Sequence, residues 1–93
     1  MPELVATTLI CRVGDLLATD VDGEMVLMNL ERGFYYGLAG TARAIWDMLE
    51  TPLHLEQLCS LLESKYAGPH EVIEADVRKF VAELSAETIV TLS

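Results

Sequence analysis

The sequence predicts a small α+β domain, a three-stranded antiparallel β-meander followed by three helices. Three observations predict it. Short apolar runs alternate with turn signals up to Leu38, with Asp22-Gly23 and Glu31-Arg32-Gly33 as the turns. Hydrophobic periodicity then changes from 2 to 3.6 at Gly40-Thr41. Finally, Thr51-Pro52 and Gly68-Pro69 divide the C-terminal half of the chain into three helical stretches.

Taken in order, residues 1–12 read as an N-terminal strand or extended arm, β-branched and apolar from Leu4 to Arg12, and Gly14-Asp15 breaks it. Residues 16–38 form the meander. Leu16 to Asp20 is its first strand, and Asp22-Gly23 is a two-residue hairpin turn in which both positions need φ > 0. In the second strand Met25 and Leu27 point to one face and Val26, Met28 and Leu30 to the other, so the sheet is expected to leave little of either face bare. Gly33 supplies a left-handed turn position, and Phe34 to Leu38 is the third strand.

Residues 41–87 hold the helices. Ala42, Ile45, Trp46 and Leu49 recur at i, i+3, i+4 and i+7. Leu55, Leu58, Cys59, Leu62 and Tyr66 line a second helix, with His54 as N-cap and Gln57 three residues on, an imperfect capping box. The third and longest helix runs from Pro69 or His70 to Ala86, with Ile73, Val77, Phe80, Val81 and Leu84 as its apolar stripe. A short final strand is expected at residues 89–92. All 93 residues are expected to make one domain.

Composition narrows the function. The chain is 52% hydrophobic, enough for a packed core, and carries a net charge of −9 from 15 acidic and 6 basic side chains. That balance repels phosphate backbones, argues against nucleic acid, and suits a basic or amphipathic polypeptide partner. Cys11 and Cys59 belong to no CxxC or Cys/His cluster, so neither a zinc site nor a disulfide framework is expected. With no signal-peptide pattern and no membrane-length apolar run, the reading is a cytoplasmic protein with no membrane role.

Catalytic candidates are thin. His54 and His70 sit at helix starts, where capping or solvent-facing roles are the ordinary ones. There is no nucleophile elbow, phosphate-cradling glycine loop or HExxH, and no cofactor is implied. Two arrangements suit binding instead. The third strand, as the last of the meander, is expected at a sheet edge with unpaired N–H and C=O groups; Phe34 and Tyr36 share one face and Tyr35 takes the other. Asp76, Lys79, Phe80 and Glu83 fall along one side of the third helix, and Asp76 is placed to pair locally with Lys79 or Arg78. A groove results if that side lies beside the edge strand.

The runs VDGEMVLMNLERGFYYGLAGTARAIWDMLE and LHLEQLCSLLESKYAGPHEVIEADVRKFVAEL resemble the PqqD-like family of peptide-recognition domains over residues 16–92. Gly33 to Leu38, Ile45-Trp46, Leu58, Leu62, Tyr66, Asp76-Val77, Phe80 and Leu84 carry the resemblance. Ala39, His54 and Thr88 depart from the family's usual Asn, Ser or Thr, and Gly at those positions.

The resemblance implies a winged-helix-like fold and a non-catalytic peptide chaperone. Its partner would be the leader region of a ribosomally made precursor peptide, added as a strand on the third strand and lying against the third helix. Carried over by position, Phe34, Tyr35, Tyr36, Asp76, Lys79, Phe80 and Glu83 are the peptide-binding residues. The leader would be presented to a modifying enzyme, either a radical S-adenosylmethionine enzyme of pyrroloquinoline quinone synthesis or the leader peptidase and cyclase of a lasso-peptide pathway. The alternatives are a winged-helix DNA-binding regulator, for which Arg78 and Lys79 among several acids make a poor recognition helix, and a small module whose edge strand pairs with its own copy as a homodimer.

Overall fold

The computed structural model describes residues 4–14 and 16–93; the first three residues of the expected arm and Asp15 of the expected break lie outside it. The order is β1 (Leu9–Arg12), β2 (Leu17–Val21), β3 (Glu24–Asn29), β4 (Phe34–Leu38), α1 (Thr41–Met48), β5 (Leu53–His54), α2 (Leu55–Lys65), α3 (His70–Ala86) and β6 (Val90–Leu92). The architecture is α+β, with antiparallel sheets and three helices.

The meander is the sheet β2-β3-β4. Asp22 and Gly23 both have positive φ, 54° and 88°, which makes a type I′ turn matched to the right-handed strand twist. Asp20 accepts the Gly23 N–H at 3.2 Å, and Arg43 of α1 holds the turn through Asp20 (2.6 Å) and the Gly23 carbonyl (2.7 Å). The hairpin tip is thereby tied to the helix layer. The β3–β4 turn is organised by Asn29, which is buried and accepts the Arg32 N–H on Oδ1 at 2.9 Å, while its carbonyl accepts Gly33 N–H at 2.8 Å.

A second sheet, β5-β1-β6, was not foreseen as a sheet. Its strands come from residues 9, 53 and 90 onward, far apart in the chain, and the pairs Ile10↔Leu53 and Ile10↔Leu92 put the fully buried Ile10 at its centre. The short β5 runs directly into α2. There the His54 N–H donates to Gln57 Oε1 at 2.9 Å, and the His54 ring bonds the Thr7 carbonyl at 2.8 Å instead of serving only as a cap.

One core joins the layers. Leu27 and Leu38 of the first sheet and Ile10 and Val90 of the second meet Ile45, Trp46 and Leu49 of α1, Leu58 and Leu62 of α2, and Val77, Val81 and Leu84 of α3. Truncating a buried leucine such as Leu27 to Ala in such a core costs about 2–5 kcal/mol. Arg12 crosses from β1 to lie over the Trp46 ring, 4.0 Å from its centroid, and donates to the Trp46 carbonyl.

All of this packing is on one side of β2-β3-β4. Contrary to the expectation from apolar residues on both faces, the other side is open, with Leu17 and Val21 about half exposed and Val26 and Met28 only partly covered. The helices are too few to sandwich the sheet, and the second sheet lies in the same core rather than across the meander.

Candidate functional site

β4 lies at the edge of its sheet. Which of its backbone groups are free is set by the hairpin. A two-residue turn closes on a hydrogen-bonded pair, here Val21 and Glu24. Antiparallel alternation then directs the backbone groups of Met25, Leu27 and Asn29 toward β4, onto their partners Leu38, Tyr36 and Phe34. The groups left pointing away from the sheet are those of Tyr35 and Gly37. They are the donors and acceptors an added strand would meet.

Side chains alternate accordingly. Phe34, Tyr36 and Leu38 face the helices; Leu38 is buried, and Phe34 and Tyr36 are half-buried against the core. Arg32 lies over the Phe34 ring at 5.9 Å and bonds the Thr88 hydroxyl beyond α3. Tyr35 is on the opposite, open face and is 76% exposed. Of the three aromatics, then, two face the groove with their rings and the third offers it only backbone.

α3 approaches β4 at Tyr36. Burial, followed by the nearby Glu83 and Glu87 carboxylates, holds the Tyr36 phenol above its ordinary value, so it remains a neutral O–H facing an acidic rim. Glu87, one helical turn beyond Glu83, was missed from the sequence although i, i+4 spacing would have added it. Asp76 and Phe80 stand further toward the start of α3, where they line a cavity of ≈ 500 Å³ together with Thr41, Ala42 and Ile45 of α1, Tyr66, and Ile73. The cavity opens just past the end of β4, because Gly40 (φ 57°, ψ −129°) turns the chain sharply into α1 in a conformation that only glycine tolerates well. Its apolar lining was not legible as a site. Lys79 is exposed and does not line this cavity.

Asp76 does not take Arg78 as its partner. Arg78 pairs with Glu74 at 3.0 Å and bonds the Leu4 carbonyl, both on the side of α3 away from Asp76. The carboxylates Asp76, Glu83 and Glu87 thus leave the groove side of α3 predominantly acidic. That surface disfavours a phosphate backbone. Among the described residues no group of His, Cys, Asp and Glu is arranged to hold a metal ion, and no helix is long and apolar enough to cross a membrane.

A three-stranded meander whose last strand lies at a sheet edge, with the acidic side of an amphipathic helix near its Tyr36, defines the class: a small α+β domain with an edge strand beside its longest helix. A family model described as coenzyme PQQ synthesis protein D (PqqD) matches residues 24–90, and the chain belongs to that family. Among solved structures it is similar to TbiB1 in complex with the TbiA(beta) leader peptide, with a TM-score of 0.79 and 25% sequence identity over 86% of this chain and 93% of that chain. No curated protein matches it.

Proposed function

We propose that this protein is a non-catalytic peptide chaperone that binds the leader of a precursor peptide by strand addition to β4 and presents it to a modifying enzyme. The observation that carries the reading is the free edge of β4 beside α3, in a PqqD-family chain similar in fold to a protein solved with a leader peptide. The leader runs antiparallel to β4. Its backbone pairs with Tyr35 and Gly37, and alternate side chains enter the groove opposite Phe34, Tyr36 and Leu38. Its N-terminal part passes Leu38 and places an apolar side chain in the cavity by Asp76 and Phe80. Glu83, with Glu87, faces the leader residue opposite Tyr36 and favours a basic side chain there, and Lys79 contributes a peripheral contact. The enzyme receiving the leader is a radical S-adenosylmethionine enzyme, or a leader peptidase with a cyclase.

Fluorescence anisotropy with labelled leaders of the precursor peptides encoded beside this gene tests the reading. At least one should bind with Kd below about 100 μM, roughly 5.5 kcal/mol of binding free energy; failure of all of them would sink it. Tyr35→Pro removes an outward N–H donor and should weaken that binding by tenfold or more, roughly 1.4 kcal/mol, whereas Lys79→Ala should cost less. Equal losses in the two variants, both folded by circular dichroism, would contradict strand addition.

A further inference from the structure

The open face of β2-β3-β4 is a surface the groove does not use. One row across it is Leu17, Met28 and Tyr35, and the next is Thr19, Val26 and Gly37. Val26 therefore ends against a position with no side chain. The backbone does not require glycine there, since Gly37 lacks the positive φ of Gly23, Gly33 and Gly40. Crowding does not require it either, because a Cβ built on Gly37 meets no atom within 4 Å. An interior strand glycine weakens a sheet, and one that neither conformation nor crowding demands marks a place where another group approaches. Gly37 is also one of the two β4 residues whose backbone groups point out of the sheet.

We propose that Gly37 is a notch for one large apolar side chain of the leader, on the face opposite the groove. That side chain belongs to the residue paired with Gly37, lies across the glycine onto Val26, and is walled by the Tyr35 ring on the diagonal. The occupant is the leader itself, because the notch is continuous with the β4 edge and a strand paired there sends every second side chain to this face. An apolar residue is selected because Val26, Met28 and Leu17 offer no hydrogen-bond partner to a polar one. The leader is then read on both faces: through the groove by alternate residues, and through the notch by one residue between them. This inference rests on the leader-binding reading of β4.

Random displayed peptides selected on the wild type and on Gly37→Val test it. Valine favours strands and meets no clash at this position, so the variant should melt at or above the wild-type temperature. The wild type should enrich a large apolar residue at one position, and Gly37→Val should enrich Ala, Ser or Gly at that position with the rest of the pattern retained. The best wild-type peptide should bind Gly37→Val roughly tenfold more weakly, with Gly37→Ala in between. Truncating that one peptide residue to Ala should abolish the difference between proteins. Enrichment of the same large residue by both proteins would overturn the notch while leaving strand addition intact. So would a wild-type dimer in sedimentation that Gly37→Val dissociates, since a second copy would then cover this face. No enriched peptide for the wild type would overturn the leader reading and the notch together.

Discussion

Thr88 is a β-branched residue at φ 60°, a conformation that crowds its side chain against the backbone. It persists because the end of α3 is otherwise complete. Ile89 N–H bonds Leu84 O at 2.8 Å and Thr88 N–H bonds Ser85 O at 3.1 Å, the two bonds of a Schellman motif, with Ile89 and Leu84 both buried. Thr88→Gly should raise stability by about 1 kcal/mol, the relief of left-handed strain less the added chain entropy and the Arg32 hydrogen bond. Urea denaturation measures it, and a loss of stability would mean the Arg32 contact outweighs the strain. The position was visible in the sequence as a departure from the family's glycine. Its geometry was not, because Arg32 lies far back in the chain. Residue-level reading likewise placed Phe34 and Tyr36 on one face and Tyr35 on the other from alternation alone. It missed Glu87, and of the two partners it offered Asp76, Lys79 or Arg78, Arg78 goes elsewhere: i, i+2 neighbours do not share a helix face, and Glu74 at i−4 does share one with Arg78.

Between elements, α2 and α3 are clipped by His70. Its ring meets Glu63 of α2 at 2.8 Å and Glu74 of α3 at 3.1 Å, with Glu71 adding to the negative field. The Glu63 hydrogen bond and charge raise His70 above its ordinary 6.5. A raised histidine stabilises the fold fully below its unfolded value, and that contribution is lost as pH rises through the folded one. The wild type should therefore lose melting temperature between about pH 5 and pH 8 relative to His70→Gln, in which that slope is flattened. Parallel profiles would remove the clip from the stability of the α2–α3 hairpin. Helices and the meander were legible at this scale because their signals are local: the Asp22-Gly23 turn, the period change at Gly40, the Gly68-Pro69 break. The sheet β5-β1-β6 was not, because pairing Ile10 with Leu53 and with Leu92 depends on how the whole chain closes, and two-residue β5 has no pattern of its own. The cavity beside Asp76 and Phe80 was hidden for the same reason, since it exists only where α1, the end of α2 and α3 come together.

At the scale of the molecule, the net charge of −9 sets the kind of peptide that arrives fastest. Raising ionic strength from about 0.01 M to about 0.15 M shortens the Debye length from roughly 30 Å to roughly 8 Å. The association rate of a basic leader should fall several-fold over that range while its dissociation rate changes little, because steering acts on encounter. Stopped-flow fluorescence separates the two, and an acidic leader that associates faster at low salt would contradict it.

The chain is also closed on itself: Leu9 N–H bonds Ser93 O at 2.8 Å, and Ser93 N–H bonds Leu9 O at 3.0 Å. The meander, by contrast, is finished within residues 17–38. On the ribosome these two sheets become possible at different times. β4 is complete long before residue 90 has emerged, while Ile10 still waits for the partner that buries it. During that interval Leu27 and Leu38 lack α3, and the nascent meander carries bare faces beside a bare edge. An unpaired edge beside uncovered apolar faces is the part of the nascent chain most open to pairing with another strand until α3 and β6 are made.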